Sequence, residues 1–227
     1  MPKRIYDRDL QMKMLEFVPV IMAPEKPQEG VVYIENKPGK ETLAQKIAAL
    51  KEYDFDYAIF RHQDTHILTP ELVEPNCRMM QEANVAVAGV IGTLIMSTTC
   101  AWWMHQRGVV TVGAIMQGDG KGGAYPMLDG PGFTPNAVAV DGCFVIFDHK
   151  FIDTYEPHDF HWRFGYDTDA CFQALQQGRN VGIVDIRVQH DSQGGFDQKE
   201  FSDLQKKFLE YWKQHVDFPV IKQSIFR

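Results

Sequence analysis

Three side chains that could bind a metal ion stand at alternate positions in the stretch HQDTH, namely His62, Asp64 and His66. They follow directly after an apolar run, residues 57–60, which is typical of a buried strand. Proteins usually hold magnesium or manganese with one or two carboxylates together with phosphate oxygens, and nearby imidazoles shift the preference toward manganese or another transition metal. The pattern predicts a divalent-cation site on Asp64, although a solvated polar turn at the end of a strand has the same composition.

A second pair of acidic residues, Asp167 and Asp169, stands at the predicted start of a helix in FGYDTDACFQALQQG. A carboxylate at a helix start commonly caps the free backbone N–H groups, which would explain one of the two. A carboxylate that instead points into a cleft, within hydrogen-bonding reach of an attacking hydroxyl, can act as a general base. Asp167 is the candidate for that role.

Other polar and aromatic stretches add candidates. His190 follows a strand-like run and precedes a Gly-Gly pair, so it is either a solvated surface histidine or a further site residue. Trp102 and Trp162 could stack on a sugar or a base, or pack in the core. The stretch GDGKGG lacks the spacing of a phosphate-binding loop and is interpreted as a mobile loop that could cover a substrate.

Composition excludes several classes of protein. The chain has 227 residues, 44% hydrophobic and 23% charged, which is ordinary for a globular protein. Its net charge of −7 argues against coating nucleic acid by charge alone. Four widely spaced cysteines indicate free thiols in a reducing compartment. The first residues lack the apolar core of a signal peptide, and the most apolar window is too short to span a bilayer, so we expect a cytoplasmic protein without a membrane partner.

The strands and helices that position these residues are predicted to alternate along the chain. This alternation predicts an α/β fold around a mostly parallel sheet. Pro70 is expected to open a helix, with Pro75 marking either its first turn or a kink. Asp167 or Thr168 is expected to cap the helix that Gly178 ends. The strand-like runs are 31–36, 57–60, 85–92, 137–148 and 180–190, and an amphipathic helix is expected over 201–215.

The ends of two predicted strands carry the candidate ligands. Parallel sheets bind their ligands beyond the carboxyl ends of the strands. His62, Asp64 and His66 lie at one such end and His190 lies at another, so we expect them to converge on one site.

Taken in order, four stretches of the chain resemble nucleotide-sugar glycosyltransferases of the family-two-like type. ENKPGKETLAQKIAALKEYDFDYAIFRHQDTHILTPEL is similar to the part of that family that leads into its Asp-x-Asp motif. AVAGVIG, VAVDGCFVIFDHKFID and FHWRFGYDTDACFQALQQGRNVGIVDIRVQHDSQGG then follow in the family's order. The resemblance covers residues 31–195 and rests on the order and spacing of the motifs.

The resemblance implies a GT-A fold, a three-layer α/β sandwich that binds a nucleotide-diphosphate sugar through a divalent metal, manganese or magnesium. It puts His62 and Asp64 in the Asp-x-Asp slot, with Asp64 as a metal ligand and His62 in place of the first aspartate. Because that aspartate is missing, metal affinity or nucleotide choice can differ from the family's. His190 matches the histidine that often completes the metal site, and His66 is added as a further ligand.

The remaining site residues are carried over in the same way. Asp167 matches the acid that serves as the base in inverting members of the family. Asp141 and Gly142 would border the sugar and the acceptor, and Asn36 and Trp162 are expected to contact the donor.

The implied activity is that of a metal-dependent hexosyl- or pentosyltransferase. It would move a sugar from a nucleotide-diphosphate donor to an acceptor hydroxyl, by an inverting single displacement. We expect a single domain over residues 1–227, with donor binding in about 17–96 and acceptor binding in about 97–195. The acceptor is left open between a saccharide, a protein hydroxyl and a hydroxymethylated base of phage-type DNA, and clustering of Arg107, Lys121 and Arg163 on one face would favour DNA.

Two other functions remain open at this stage. A nucleotide-sugar-binding protein without catalysis would also fit the missing aspartate, and tight binding without turnover would identify it. A metal-dependent hydrolase built on His62, Asp64, His66 and His190 would need a ligand set that leaves one open position for water.

Overall fold

A seven-stranded sheet runs through the centre of the computed structural model, which describes residues 12–20, 31–102, 110–118, 124–126, 132–191 and 197–221. The strands are β1 (Met14–Val20), β2 (Val31–Glu35), β3 (Tyr57–Arg61), β4 (Thr65–Ile67), β5 (Val85–Gly89), β6 (Ile91–Thr93), β7 (Ile95–Met96), β8 (Thr111–Gly113), β9 (Met116–Gly118), β10 (Ala124–Pro126), β11 (Thr134–Ala137), β12 (Ala139–Val140), β13 (Phe144–Asp148), β14 (Asn180–Ile183), β15 (Val188–His190) and β16 (Val220–Ile221). The helices are α1 (Leu43–Ala48), α2 (Val73–Glu82), α3 (His149–Ile152), α4 (Tyr166–Gln176) and α5 (Gln198–Trp212), with short 3-10 turns at Ala49–Glu52 and Pro70–Leu72.

The central sheet has the strand order β11-β14-β5-β13-β3-β1-β2. Strands β1, β2, β3, β5 and β14 point the same way, whereas β13 and β11 run against them. β3 and β5 are buried along their whole length, as expected for strands covered on both faces. The predicted GT-A-like α/β sandwich with a mostly parallel sheet is confirmed.

A second sheet of four strands has the order β10-β9-β15-β4 and begins just beyond the end of β3. A turn joins the two sheets: the Thr65 N–H donates to the His62 carbonyl at 3.1 Å. Arg61 stabilises this turn, since its guanidinium donates to the Thr65 carbonyl at 2.9 Å and to Glu16 at 2.6 Å. The end of β3 is thus fixed to the start of β4.

Several helix boundaries agree with the sequence signals. Pro70 opens a 3-10 turn that leads into α2, and Pro75 lies in the first turn of α2. Gly178 follows the end of α4 in the left-handed conformation (φ 70°), which glycine adopts without steric cost.

The predicted cap of α4 is wrong. Gly165, in the left-handed conformation (φ 81°), occupies the N-cap position, and the helix starts at Tyr166. Neither Asp167 nor Thr168 caps it, because both already lie within the first turn. The two carboxylates of that turn are used elsewhere, as described below.

The predicted strand over 180–190 is also wrong, because the chain changes sheet within it. β14 belongs to the central sheet and β15 to the second sheet. Between them, side chains replace strand partners: Asn76 accepts from the Asp185 N–H at 3.0 Å and Thr69 accepts from the Arg187 N–H at 2.9 Å.

The C-terminal helix starts earlier than the predicted residue 201. Asp197 caps α5 by accepting from the N–H groups of Lys199 and Glu200. This cap adds a turn ahead of the amphipathic pattern, and the helix ends at Trp212 rather than 215.

One cluster of buried apolar residues extends from Phe17 to Val220, so strands from both ends of the chain share a core. The division into donor-binding and acceptor-binding parts stays a prediction. All four cysteines are free, and Cys77, Cys143 and Cys171 are buried. Within the described ranges, no helix has the length and apolar character needed to cross a membrane.

Candidate active site

The end of β3 and the start of β13 meet at one edge of the central sheet. β13 runs antiparallel to β3, so its first residues lie where β3 ends. The His62 N–H donates to the Cys143 carbonyl at 2.9 Å. This bond brings the Asp141–Cys143 segment beside His62 and Asp64.

A group of three potential metal ligands lies at this edge: His62, Asp64 and His190. One ligand atom from each lies within 4.8 Å of the others, and His190 Nε2 is 3.4 Å from Asp64 Oδ1. His190 reaches the group from β15, whose end is tied to Asp64 because the Asp191 N–H donates to the Asp64 carbonyl at 2.9 Å. Two imidazoles and a carboxylate are a donor set that fits a divalent transition metal.

His66 lies outside this group. Its side chain is 55% exposed, and its Nε2 is 3.0 Å from Asp191 Oδ2. In β4 successive side chains point to opposite faces, so His66 faces away from buried Thr65. Its predicted role as a metal ligand stays a prediction.

Burial and mutual contacts shift the pKa values of the three side chains in this group. Burial lowers the pKa of His62, which favours the neutral imidazole that a metal needs. The hydrogen bond with His190 lowers the pKa of Asp64. Burial acts to lower the pKa of His190 as well, but the hydrogen bond and charge of Asp64 outweigh it and raise that pKa.

Asp167 projects from the first turn of α4 toward Gly142. A Cβ added at Gly142 would lie 3.0 Å from Asp167 Oδ2 and would collide with the Tyr166 hydroxyl, so any larger residue would have to displace these side chains. Burial, together with the negative charge of Asp141, raises the pKa of Asp167 to about 7. A carboxyl group with this pKa is suited to proton transfer near neutral pH.

Asp141 is held in a fixed orientation. Its Oδ1 accepts from the Cys143 N–H at 2.7 Å, and its Oδ2 accepts from the Trp102 indole N–H at 3.0 Å. Trp102 is buried, so its role here is to orient Asp141 rather than to offer an open stacking face.

Tyr166, which sequence reasoning missed, connects the group of three potential ligands with the acidic pair Asp141 and Asp167. Its hydroxyl donates to the Gly142 carbonyl at 2.9 Å and lies 3.3 Å from His62 Nε2. Its ring packs on Phe60 at the end of β3, with centroids 5.1 Å apart. The sequence offered only the position of Tyr166 beside Asp167 as a signal.

Two buried polar side chains flank His190 and were also missed. Thr65 and Gln117 are its register partners on β4 and β9, so their side chains share its face of the second sheet. In the described part of the chain, Thr65 Oγ1 and Gln117 Nε2 have no hydrogen-bond partner although both are buried. Buried polar atoms are normally paired, so these two are available to a ligand.

The other predicted donor-binding residues lie farther along the same edge. Asn36 follows β2, and its buried Oδ1 has no partner among the described residues. The Trp162 carbonyl accepts from the Leu43 N–H at the start of α1. The indole ring of Trp162 is partly exposed, and the Arg163 guanidinium lies over it, 5.0 Å from the ring centroid. Their contact with a donor stays a prediction.

Asp169 is not part of the site surface. It is fully buried and accepts hydrogen bonds from four side chains at 2.8–3.3 Å: Tyr155, His158, Gln173 and Trp212. It joins α4 to α5 and to the loop before α4, so the first turn of α4 carries one structural carboxylate and one at the site.

Comparison with known proteins places the chain in a family. A family model described as "Glycosyltransferase like family" matches residues 5–212. The chain belongs to this glycosyltransferase-like family. The resemblance noted in the sequence is therefore confirmed over most of the chain.

Solved structures that match this chain share little sequence with it. A197 from STIV has 10% identity and a TM-score of 0.48, with coverage of 82% of this chain and 87% of that one. The inositol-1-phosphate CTP transferase from T. maritima has 12% identity and a TM-score of 0.38, covering 80% and 68%. The CMP:2-keto-3-deoxy-manno-octonic acid synthetase complexed with CTP has 10% identity and a TM-score of 0.38, covering 87% and 99%. No curated protein matches the chain in sequence.

Proposed function

We propose that this protein transfers a hexosyl or pentosyl group from a nucleotide-diphosphate sugar to an acceptor hydroxyl, with inversion at the anomeric carbon and with a divalent cation. The proposal rests on one observation in this glycosyltransferase-like chain. The group of three potential ligands and the acidic pair Asp141 and Asp167 lie at the same edge of the sheet. One cluster can hold a cation, and the other contains a carboxyl group poised near neutral pH.

Asp64 and His190 would hold the cation, which when bound supplies positive charge that stabilises the departing diphosphate. Thr65 and Gln117 flank His190, so we assign them to the donor. The Gln117 amide can donate to a phosphate oxygen, and the Thr65 hydroxyl can donate or accept. Asn36 and Trp162 extend the donor side toward α1.

Asp167 would act as the general base. It takes the proton from the acceptor hydroxyl while that oxygen bonds to the anomeric carbon and the bond to the diphosphate breaks. Asp141 supports this role, because its fixed negative charge keeps the pKa of Asp167 high enough to accept a proton. Because Gly142 has no Cβ, the side chains of Tyr166 and Asp167 can pack closely against its backbone. The four free thiols favour a reducing compartment, and we propose a cytoplasmic location on that ground.

A thermal-shift screen of nucleotide-diphosphate sugars, with and without Mn²⁺, tests donor binding. A ligand that binds only the folded state stabilises it by about 2.7 kcal/mol at a hundredfold excess over its Kd. A nucleotide sugar that raises the melting temperature only with metal present is the expected result. Absence of stabilisation by any such sugar would contradict the proposal.

Turnover of the donor identified in this way then tests catalysis. Asp167→Asn is expected to keep donor binding and to lower kcat by about 10²–10⁴-fold, the usual contribution of a general base. Asp203→Asn, on the exposed face of α5, is the matched control and should keep full activity. Tight donor binding by the unmodified chain without transfer or hydrolysis would indicate a binding protein instead.

A further inference from the structure

The proton of the Tyr166 hydroxyl is committed. A hydroxyl group has one proton, and here it is donated to the Gly142 carbonyl, which can only accept. Toward His62 Nε2, 3.3 Å away, the tyrosine oxygen can therefore only accept. It follows that His62 carries its proton on Nε2 and its lone pair on Nδ1.

A histidine that binds a metal through one nitrogen usually donates its other N–H to a fixed acceptor, which sets the tautomer and the ring orientation. Tyr166 provides such an acceptor for His62. The backbone of His62 is also fixed, through the bond from its N–H to Cys143. The rings of His62 and His190 are tilted by 60° with centroids 5.6 Å apart, and Asp64 belongs to the same group of three.

We propose that His62 is a direct metal ligand through Nδ1, so that the cation is held by two imidazoles and one carboxylate. Tyr166 is its positioning residue. Imidazole nitrogens favour transition metals, whereas magnesium and calcium prefer oxygen. The site therefore takes Mn²⁺ or Co²⁺ in preference to Mg²⁺, and it binds the ion before any nucleotide arrives. This inference rests on the proposed function for its biological role, but the metal site can be tested without a donor.

His66, four residues after His62, offers a matched control. Both residues are histidines near Asp64, but His66 is paired with Asp191 and exposed, whereas His62 lies in the group of three. Replacing each in turn separates a ligand from a neighbour.

The experiment is calorimetric titration of the full-length, chelator-treated protein with MnCl2 and with MgCl2, without nucleotide. Co²⁺ absorption spectra provide a second measurement, because nitrogen ligation changes the visible bands. The wild-type protein is expected to bind Mn²⁺ at least about tenfold more tightly than Mg²⁺. His62→Ala should weaken Mn²⁺ binding by about tenfold or more, and Tyr166→Phe by about tenfold. His62→Asp should keep a metal site and narrow the ratio of Mn²⁺ to Mg²⁺ affinity. His66→Ala should leave both affinities unchanged.

Circular dichroism of each metal-free variant shows whether it is folded. If His62→Ala does not fold, His62→Asp provides the test. The inference is overturned if folded His62→Ala binds Mn²⁺ as the wild type does, if His62→Asp leaves the ratio of Mn²⁺ to Mg²⁺ affinity unchanged, or if His66→Ala loses as much affinity as His62→Ala. Metal binding through His62 in a protein that transfers no sugar would instead contradict the proposed function and leave this inference standing.

Discussion

At the scale of single residues, Asp167 owes its chemical character to its surroundings rather than to its type. An ordinary aspartate is ionised well below neutral pH and is a weak base. Burial and the charge of Asp141 raise the pKa of Asp167 to about 7, which makes it a stronger base that is partly protonated at neutral pH. The acidic pattern DTD identified the candidate, but the shift depends on contacts that only the fold creates.

The pKa of Asp167 predicts how activity depends on pH. A base must be unprotonated to accept a proton, so kcat/KM for the acceptor should rise with pH and level off above about 7. A bound cation nearby lowers this pKa and moves the rise to somewhat lower pH. Measuring kcat/KM across the range at constant metal concentration tests the expectation.

Two variants sharpen that measurement. Asp141→Asn removes the neighbouring charge and should shift the rise to lower pH, whereas Asp203→Asn should leave the profile in place. A profile that stays flat through the acidic and neutral range would contradict the assignment of Asp167 as the base.

The contacts of Tyr166 and the positions of Thr65 and Gln117 were beyond prediction from the sequence. Tyr166 contacts Gly142 and His62, which are distant in the chain, and its hydroxyl matters only because both distances are short. Thr65 and Gln117 became candidates only through the register of β15 between β4 and β9. Long-range pairing of this kind leaves no periodic trace in a sequence.

At the scale of elements, α4 is fixed by the buried carboxylate of Asp169. Its four hydrogen bonds join the helix to Trp212 of α5 and to the preceding loop, and aromatic contacts such as Phe172–Trp212, with centroids 5.1 Å apart, surround them. The first turn of α4 carries Asp167, so this network also fixes the position of the Asp167 carboxyl group beside Gly142.

Removing the Asp169 carboxylate should therefore be costly. Asp169→Ala removes the acceptor of the buried Tyr155 hydroxyl and Trp212 indole N–H and the carboxylate partner of His158, and we expect the free energy of unfolding to fall by about 3–5 kcal/mol. Urea denaturation monitored by tryptophan fluorescence measures this. Asp203→Asn should change the value by less than about 0.5 kcal/mol. A loss for Asp169→Ala as small as that of the control would show that the network contributes little.

The turn between β12 and β13 gives a second prediction at this scale. Gly142→Ala should displace Tyr166 and Asp167, because the new methyl group needs space that the hydroxyl occupies. A displacement of about 1 Å can cost about 10²-fold in rate, so we expect a loss of kcat of this order.

Gly132→Ala is the comparison for that loss. A Cβ there would meet its nearest atom, on Asp185, at 3.7 Å, which is an ordinary contact. Steady-state kinetics on both variants should show the loss in Gly142→Ala alone. Equal activity of the two variants would mean that the fit around Gly142 does not matter for catalysis.

Elements with strong local signals were predicted well, and those that depend on distant partners were not. Prolines and glycines marked the start of α2 and the end of α4, because they act through their own backbone. The apolar run over 180–190 was predicted as one strand, since nothing local reveals that Asn76 and Thr69 take over its hydrogen bonds. The start of α4 was misplaced because its acidic residues resembled caps.

At the scale of the whole molecule, the charge distribution bears on the acceptor. Of the three basic residues whose clustering would favour DNA, Arg107 and Lys121 lie outside the described residues. The third, Arg163, has its guanidinium engaged by Glu200 at 3.3 Å and by the faces of Trp162 and Phe164. With a net charge of −7, the protein has no excess of positive charge with which to neutralise the phosphates of DNA.

We therefore expect no binding to duplex DNA, with or without hydroxymethylated bases, at about 0.15 M salt. Fluorescence anisotropy of a labelled duplex measures this, with a hydroxymethylated duplex in parallel. Saturable binding that weakens steeply as salt is added would contradict the expectation and favour DNA as the acceptor.

The position of β13 in the central sheet has a consequence for how the protein is made. β3 and β5 leave the ribosome well before β13, yet β13 lies between them. Until Phe144–Asp148 is synthesised, the nascent chain contains two apolar strands whose facing edges are unpaired. Unpaired apolar strands promote aggregation and are bound by chaperones. The same insertion brings Asp141 and Gly142 to the end of β3, so the candidate site forms only once β13 has paired with β3.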